Sequence, residues 1–325
     1  MKNSFPVSDK YQSFRFRLLF NQGFLFYAEY NIRLFFKLLF SKKDILWAND
    51  LDTLLPNFLI SKICSVKLIY DSHEYFTEVP ELINRRRVRS IWLFIENNIF
   101  QKLKNVITVN EKIAEIYTEK YKVPVTVIKN VPSLDNSIKT PFEFVKDDER
   151  IILYQGSLNK GRGLELMIDA MPLLKNVLLI IIGDGYQLEK LKNQVTHAAL
   201  QDKVIFLGKK LPEELAGLTK NADVGISLEE DLGLNYRYAL PNKIFDYIQA
   251  GVPVVASDLP LLDQLFQEFK VGEVLRKRDP ESLAGLIEKV ISNKDSYQEA
   301  LKEARSFYNW NNEKKVLINF IKKIE

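Results

Sequence analysis

The sequence predicts an α/β fold in which helices wind around two parallel sheets, one after the other along the chain. Short apolar runs alternate with amphipathic segments from Asp44 onward, which is typical of successive βαβ units. The alternation stops between residues 132 and 150 and then restarts, so we expect one sheet on each side of the break. The 325 residues, 46% of them hydrophobic, are enough to form two cores.

In the N-terminal half, four segments are predicted strands: DILWAND, KLIYDSHE, NVITVN and VTVIKNVP. We predict helices over LDTLLPNFLISKI, over the arginine-rich NRRRVRSIWLFIENNIFQKL and from Glu111 onward. The first ~40 residues are also predicted to be helical from their apolar spacing. Asp50, Asp71 and Asn110 end neighbouring strands, and we expect them to line a cleft at the shared carboxyl edge.

The break itself, LDNSIKTPFEFVKDDER, has no sustained apolar period and is rich in charge, which favours a linker. We therefore place a first domain at residues 1–135 and the linker at 136–150. A second domain follows at 151–296, and a helical tail at 297–325.

The second domain contains about six predicted buried strands: IILYQ, NVLLIIIGDG, KVIFLG, DVGISL, VPVVASD and VGEVL. Helical segments such as LELMIDAMPLL, PEELAGLTKNA and LPNKIFDYIQAG separate them. This is the pattern of a complete, doubly wound sheet, which binds ligands at the carboxyl ends of its strands. We therefore expect the functional residues at those ends.

The charge of the chain is uneven. Residues 1–130 carry 20 Lys and Arg against 13 Asp and Glu, a net charge of +7, and the rest of the chain carries −3. A basic N-terminal half suits an anionic partner such as a membrane surface or a phosphorylated lipid, although a solvated face gives the same pattern. One cysteine and two histidines argue against an internal disulfide and against a zinc site of several Cys or His ligands.

The sequence contains no run of about 18 apolar residues, so it predicts no helix across a bilayer. The stretch from Phe14 to Phe40 mixes aromatic and aliphatic residues with cations such as Arg33 and Lys37. A basic, aromatic helix of this kind can lie in a membrane interface. A core helix whose arginines extend along buried apolar surface is the favoured interpretation.

The loop GSLNKGRG joins the first strand of the second domain to a helix. Gly156 and Gly163 allow backbone N–H groups to approach an anion closely, and Lys160 and Arg162 supply positive charge. The spacing matches neither GxGxxG nor a Walker A loop, which weakens the dinucleotide and ATPase interpretations. A tight turn without a ligand remains the alternative.

A second turn, formed by Gly183, Asp184 and Gly185, ends the next strand. Alone it indicates only a turn. Together with the first loop, this turn places a second stretch of exposed backbone at the same edge of the sheet.

A helix is predicted to begin near Asn242 and Lys243. Its free N–H groups and the Lys243 ammonium can bind a diphosphate. Asp246, three residues after Lys243, lies near the same face and can accept a hydrogen bond from a ribose hydroxyl. A surface carboxylate is the alternative for Asp246.

In order and spacing, the GSLNKGRG loop, the IIGDG turn, the ADVGISL strand and LPNKIFDYIQAGVPVVASD resemble the donor half of family 4 GT-B glycosyltransferases. The resemblance covers the whole C-terminal domain. It implies a GT-B fold, with two Rossmann-like domains facing a cleft, and retaining transfer of a sugar from a nucleotide-diphosphate donor. The family's first loop usually reads GRLxxxKG. Here Ser157 replaces the Arg and Arg162-Gly163 replaces the Lys-Gly, so the phosphate-binding charge rests on Arg162 and Lys243.

The family's E-x₇-E motif is also altered. Asp246 matches its second Glu, which the resemblance implies binds the ribose. Tyr238 stands at the first position, so Glu229 or Glu230 becomes the candidate for contact with the donor sugar, and we group both with the catalytic residues.

The segments NDLDTLLPN and YDSHEYFTEVPEL resemble the acceptor domain of bacterial members, in which a histidine after a central strand lies near the donor sugar. His73 matches that histidine, with a core histidine as the alternative. Glu74 beside it could orient the acceptor hydroxyl or act as a base. The family's first strand, its glycine-bearing loop and a further βα unit have no counterpart, so we expect an N-terminal domain incomplete by roughly 70 residues.

The resemblance implies a hexosyl transferase of polysaccharide biosynthesis, whose partners are a nucleotide-diphosphate sugar and a glycan or lipid-linked acceptor. No acidic D-x-D pair stands in the expected donor site, so we expect no metal and no cofactor, with positive side chains in their place. We expect no nucleic-acid partner and a cytoplasmic location, with peripheral contact at the inner face of the membrane left open. A degenerate nucleotide-sugar-binding protein and a GT-B sugar-nucleotide epimerase remain alternatives.

Overall fold

The computed structural model describes residues 13–83, 85–146 and 148–324. Its first sheet has the strand order β1-β2-β3-β4, and all neighbouring strands are parallel. The strands are β1 (Ile45–Asn49), β2 (Lys67–Ser72), β3 (Asn105–Thr108) and β4 (Val125–Val127). The helices of this half are α1 (Gly23–Leu39), α2 (Leu51–Ile63), α3 (Pro80–Ile83), α4 (Arg86–Ile99) and α5 (Glu111–Tyr121).

The second sheet has six parallel strands in the described residues: β5 (Arg150–Gln155), β6 (Val177–Ile182), β7 (Val204–Gly208), β8 (Val224–Ser227), β9 (Val254–Ser257) and β10 (Gly272–Leu275). The helices around it are α6 (Leu164–Ala170), α7 (Leu188–His197), α8 (Pro212–Thr219), α9 (Leu234–Arg237), α10 (Asn242–Ala250), α11 (Pro260–Glu268) and α12 (Pro280–Ser292). Two more helices, α13 (Gln298–Phe307) and α14 (Trp310–Ile324), follow.

The order of the second sheet, β10-β9-β8-β5-β6-β7, reverses direction between β5 and β8. A crevice opens at the carboxyl ends of two strands at such a switch point, because the connections on either side of it run in opposite directions. The loops after β5 and β8 border this crevice. The fold thus positions a binding site between them.

The predicted α/β class is confirmed, and the burial of the strands explains it. All six residues of β6, VLLIII, are buried, as expected for a parallel strand covered by helices on both faces. The helix α10 ends at Gly251, whose φ of +72° gives the left-handed cap that glycine favours. Separate clusters of buried apolar side chains lie around each sheet.

The N-terminal segment differs from its predicted form. Residues 1–12 of the predicted helix lie outside the described residues, and residues 13–22 are not helical. The backbone N–H groups of Leu19 and Phe20 donate to the Glu29 carboxylate, at 2.8 and 3.1 Å, in place of helical carbonyls. The helix α1 begins only at Gly23, whose φ of +74° interrupts a right-handed helix.

The favoured interpretation of α1 as a core helix holds for only one of its faces. None of its residues is buried, and Phe24 and Phe36 are 66% and 54% exposed. Only one face, which includes Tyr27 and Phe35, packs against the core of the first half. No helix among the described residues has the length and apolar content needed to cross a membrane.

The chain between β4 and β5 forms neither helix nor strand in its described residues. It still contributes Val131 and Phe142 to the core of the second half. In the predicted tail, α13 contributes Leu301 to the same core. The helix α14 instead contacts the first half, where the Glu313 carboxylate accepts a hydrogen bond from the Lys129 N–H at 2.9 Å.

Candidate active site

Two glycine loops touch at the carboxyl edge of the second sheet. Gly156 follows β5 with a φ of +136°, and Gly183 follows β6 with a φ of +153°. A Cβ atom on Gly183 would lie 1.8 Å from the Gly156 carbonyl oxygen, so a larger residue does not fit. The Leu158 N–H donates to the Asp184 carbonyl oxygen at 3.0 Å. The structure therefore brings the two predicted loops together.

The end of the first loop approaches the loop after β8. Gly163 precedes α6 with a φ of +70°, and a Cβ atom there would lie 2.4 Å from the Leu228 carbonyl oxygen. The Glu230 N–H donates to the Gly161 carbonyl oxygen at 2.8 Å. These contacts join the loops after β5 and β8 across the switch point.

A buried carboxylate holds two cations at this point. Glu229 is 1% exposed. Its Oε1 accepts hydrogen bonds from Lys243 Nζ at 2.8 Å and from Arg162 Nη1 at 3.4 Å. Its Oε2 accepts from the Ser227 hydroxyl at 2.6 Å. A carboxylate this deeply buried is unfavourable unless it is paired, and these partners supply the pairing.

The charges in this cluster stabilise one another. Burial alone would raise the pKa of Glu229. The charge and hydrogen bond of Lys243, together with Ser227 and Arg162, outweigh burial, so the pKa of Glu229 is lowered. Burial alone would lower the pKa of the Arg162 guanidinium. The negative charge of Glu229 outweighs burial, so the pKa of Arg162 is raised. Both groups are therefore ionised near neutral pH.

Each cation also lies near an aromatic ring. Lys243 Nζ is 4.3 Å from the centroid of Tyr154, and Arg162 Cζ is 5.0 Å from that of Tyr236. The Arg162 Nε is buried and has no hydrogen-bond partner in the part of the chain that the structure describes. One donor of the guanidinium therefore makes no hydrogen bond with the described residues.

Asp246 lies one helical turn after Lys243 and is held from the end of β5. Gln155 Nε2 donates to Asp246 Oδ2 at 2.9 Å. Burial raises the pKa of Asp246 to about 6, although the Gln155 hydrogen bond and the Lys243 charge oppose it. Asp246 is thus not the freely exposed helix carboxylate of the alternative interpretation.

The other predicted residues at this edge are more open to solvent. Ser157, Asp184 and Asn242 are exposed, and Glu230 is partly exposed. Gly185 fills a tight turn, where a Cβ atom would lie 2.4 Å from the Leu158 carbonyl oxygen. Of the two glutamates considered for the donor sugar, only Glu229 joins the Lys243 and Arg162 cluster.

His73 follows β2 in the first half and lies among carboxylates. Its Nε2 is 3.3 Å from Asp71 Oδ2, and its backbone N–H donates to Asp50 Oδ1 at 2.8 Å. The Trp47 indole N–H donates to the same Asp71 oxygen at 3.0 Å. The hydrogen bond with Asp71 raises the pKa of His73 against the effect of burial. The side chain is 46% exposed, so His73 is not a core histidine.

Glu74 connects the two halves of the molecule. Its Oε2 accepts from Asn235 Nδ2 at 3.3 Å, and Asn235 Oδ1 accepts from the Tyr75 N–H at 2.9 Å. Burial raises the pKa of Glu74 to about 7, with a smaller contribution from the Asp50 charge. This carboxyl group can therefore exchange a proton near neutral pH.

Asn110 makes a second connection between the halves. Its Oδ1 accepts the Ile113 N–H at 2.9 Å as the cap of α5, and its Nδ2 donates to the Tyr238 carbonyl oxygen at 3.0 Å. Tyr238, the residue at the first position of the altered E-x₇-E motif, thus meets the first half through its backbone.

A cavity of about 270 Å³ lies where the two halves meet. Its walls contain predicted site residues from both halves, namely His73, Glu74, Asn110, Arg162 and Asn242, and also Asn235. A larger recess of about 590 Å³ lies at the start of α4, lined by Ile83, Arg85, Arg86, Arg87 and Val88, and contains none of the predicted site residues. Within the described ranges, no three His, Cys, Asp or Glu side chains are grouped as metal ligands would be.

Three residues of the site were missed from the sequence: Gln155, Tyr154 and Tyr236. Gln155 and Tyr154 end the apolar run IILYQ, and a polar residue at the end of a buried strand is a usable signal. Tyr236 lies in the short helix α9, which the apolar spacing did not indicate.

Comparison with solved structures shows the fold. Sucrose-phosphate synthase from Thermosynechococcus elongatus superposes with a TM-score of 0.74 at 17% identity, over 91% of this chain and 77% of that one. The Anabaena protein HepE in complex with UDP and glucose gives a TM-score of 0.70 at 17% identity, over 92% and 81% of the two chains. The α/β fold is therefore of the GT-B type.

Comparison with known sequences gives the family. An uncharacterized glycosyltransferase of Methanocaldococcus jannaschii is 29% identical over 187 residues, 55% of this chain and 46% of that protein. The alpha-monoglucosyldiacylglycerol synthase of Streptococcus pneumoniae is 27% identical over 165 residues, 49% and 35% of the two chains. The chain thus matches less than half the length of these relatives. Residues 136–307, more than half of the chain, match the family described as glycosyl transferases group 1, and the chain belongs to that family.

Proposed function

We propose that this chain is a glycosyltransferase of family 4 that moves a hexose from a nucleotide-diphosphate sugar to an acceptor with retention of configuration. The observation that carries the proposal is the pair of cations, Arg162 and Lys243, held on buried Glu229 at the switch point. The family match and the superposition on HepE structures with bound UDP and with UDP-glucose support a donor of this kind.

The cations act on the leaving group. Transfer breaks the bond between the sugar and the diphosphate, and negative charge develops on the departing oxygen. Arg162, Lys243 and the N-terminus of α10 offer fixed positive charge and N–H donors to that oxygen, which lowers the barrier most when they are held in place beforehand. These side chains supply the positive charge that a divalent ion supplies elsewhere.

Glu229 acts through the cations rather than on the sugar. Its Oε1 contacts both cations and its Oε2 accepts from Ser227. In this role it is the counter-ion that keeps Arg162 and Lys243 in one arrangement before the donor binds. The contact with the donor sugar then falls to other groups of the cleft.

The acceptor binds on the side of the first half. His73 and Glu74 line the cavity between the halves, which Arg162 also lines. Glu74, with a pKa raised to about 7 by burial, takes the proton that the acceptor hydroxyl loses. His73 positions the donor sugar or the acceptor beside it, with Asp71 fixing its ring.

The acceptor is a glycan or a lipid-linked saccharide precursor, and α1 and α4 carry the contact with the inner face of the membrane. These helices are neighbours, since the Tyr27 and Trp92 rings lie 5.3 Å apart. Phe36 on α1 and Phe94 on α4 are 54% and 69% exposed. Arg85, Arg86 and Arg87 at the start of α4 are exposed as well. Exposed apolar side chains and exposed cations on the same pair of helices suit an anionic lipid surface.

The proposal is tested with UDP-, GDP- and ADP-sugars, alone and with glycan or lipid-linked acceptors. Release of the nucleoside diphosphate is followed together with the anomeric configuration of the product by NMR. Acceptor-dependent release with retained configuration supports the proposal. Binding without release indicates a degenerate binding protein, and a changed sugar still attached to its nucleotide indicates an epimerase. Either outcome contradicts the proposal.

A further inference from the structure

Gln155 is a buried polar residue at the position where the second sheet reverses direction. It ends β5 and is 2% exposed. Its backbone N–H donates to the Tyr247 hydroxyl at 3.2 Å. A side-chain amide this deeply buried must find partners for its own donors and acceptor. Those partners come from two different helices.

The Gln155 side chain connects α8 to α10. Its Nε2 donates to Asp246 Oδ2 at 2.9 Å, and its Oε1 accepts from the Thr219 hydroxyl at 2.8 Å. Thr219 is itself 1% exposed, and its hydroxyl oxygen also lies 2.7 Å from the Leu215 carbonyl oxygen. Because the hydroxyl carries one proton, it donates to only one of these two carbonyl oxygens at a time.

This chain of groups has two consistent hydrogen-bond patterns. In the first, Thr219 donates to Gln155, whose NH₂ group donates to an ionised Asp246. In the second, the Gln155 amide is turned over, and a protonated Asp246 donates to the Gln155 oxygen. The Gln155 NH₂ group then donates to the Thr219 hydroxyl, which donates in turn to the Leu215 carbonyl oxygen. Only the first pattern presents Asp246 as a carboxylate that accepts hydrogen bonds.

We propose that Gln155, anchored by Thr219, is a positioning residue that keeps Asp246 ionised and oriented to accept a hydrogen bond from the ribose of the nucleotide. This inference rests on the proposed function, since it takes a nucleotide as the ligand. Gln155 itself does not touch the nucleotide. It acts by favouring the first hydrogen-bond pattern over the second.

The charges around Asp246 make the two patterns accessible near neutral pH. Burial raises the pKa of Asp246 to about 6, while the Gln155 hydrogen bond and Lys243 lower it. Lys243 and Tyr247 on α10 are the titratable groups coupled to it. Without the Gln155 donor, the ionised form loses a stabilising hydrogen bond, so Asp246 takes up a proton at higher pH.

The test measures the affinity of UDP, GDP and ADP for the full chain between pH 5 and pH 8.5. In the wild type, affinity rises with pH through about 6 and then levels off. Gln155→Met keeps the length of the side chain but removes its hydrogen bonds, and we expect the midpoint to move up by about one pH unit. Asp246→Asn removes the step that Gln155→Met moves and leaves only the titration of the ligand's own terminal phosphate, whose second pKa is about 6. Removing the ribose hydroxyls from the diphosphate that binds has the same effect.

A uniform loss of affinity in Gln155→Met, with no movement of the midpoint, makes Gln155 merely structural and overturns the inference. Should that variant fail to fold, the side-chain NH₂ resonances of Gln155 in the wild type are followed by NMR. They must shift with pH at the midpoint of the affinity curve, and a flat response overturns the inference. Binding of none of the three diphosphates to the wild type instead overturns the proposed function.

Discussion

The Lys243 ammonium lies 2.8 Å from the Glu229 carboxylate, and both side chains are almost fully buried. The two residues belong to different segments, α10 and the loop after β8. This ion pair sets the position of a cation at the switch point before any ligand arrives. The stability of the second half therefore depends on it, and so does its readiness to bind an anion.

Glu229→Gln leaves Lys243 buried without its counter-ion. Breaking a buried pair in this way is strongly unfavourable, and we expect the free energy of unfolding to fall by about 3–5 kcal/mol. A bound nucleoside diphosphate supplies new negative charge, so the variant should regain more stability from it than the wild type does. Urea unfolding with and without the diphosphate measures both effects.

Glu230→Gln is the matched control, because Glu230 is partly exposed and stands outside the buried cluster. We expect a change within about 0.5 kcal/mol. Equal stabilities of Glu229→Gln and the wild type would show that the buried pair does not hold the site together.

His73 should titrate at a higher pH than an ordinary histidine, because its hydrogen bond with Asp71 raises its pKa. The chain has two histidines, so NMR of a His197→Gln background reports His73 alone. Asp71→Asn removes the carboxylate and should lower this pKa. His73→Ala should reduce turnover far more than donor affinity. An unchanged titration in Asp71→Asn, or a wild-type rate in His73→Ala, would remove His73 from the site.

Glu74 should make the protein less stable as the pH rises. Its folded-state pKa of about 7 exceeds the ordinary value of 4.5. The protonated form is therefore favoured by folding, and its stabilisation is present below pH 4.5 and is lost as the pH rises through about 7. Glu74→Gln avoids this loss, so its advantage over the wild type should grow to about 3 kcal/mol at pH 8.

Thermal and urea unfolding between pH 4.5 and pH 8 measure this difference. Glu299→Gln, at an exposed position of α13, is the control and should show no such trend. A Glu74→Gln variant that is destabilised equally at every pH would show instead that the carboxylate is needed for packing.

Vesicle binding tests the exposed face of α1 and α4. We expect the chain to sediment with vesicles containing phosphatidylglycerol, less with phosphatidylcholine alone, and less again at high salt. Phe94→Ser should weaken binding about tenfold, since burial of one phenylalanine in lipid gives roughly 1.5–3 kcal/mol. Leu173→Ser, which changes an exposed apolar residue of the second half, is the control. Equal sedimentation of Phe94→Ser and the wild type would exclude this face.

Much of the fold could be predicted because the strands of the second sheet are mostly apolar runs, such as VLLIII in β6, that end in glycine or polar residues. Loops at strand ends are local features, so Gly156, Gly163 and Gly183 were found from spacing alone. The pairing of Arg162 and Lys243 with Glu229 joins residues far apart in sequence. Glu229 was singled out, but its burial between two cations could not be read from its neighbours.

The N-terminal segment shows a different limit of prediction. The apolar spacing near Phe36 indicates a helix but does not tell how many of its faces have a partner. The side chain of Glu29 accepts two backbone N–H groups from the segment before the helix, a contact that depends on the three-dimensional path of the chain. The exposure of α1 could therefore be found only from the structure.

The affinity of nucleoside diphosphates for variants of the cation pair tests the proposed donor site most directly. UDP, GDP and ADP are titrated into the wild type, Arg162→Ala and Lys243→Ala, with Lys160→Ala, an exposed cation of the same loop, as control. We predict that at least one diphosphate binds the wild type, that Arg162→Ala and Lys243→Ala each weaken it by about 1–3 kcal/mol, and that Lys160→Ala has a smaller effect. Binding of none of the three, or unchanged affinity in both Arg162→Ala and Lys243→Ala, would contradict the assignment of this site to a diphosphate.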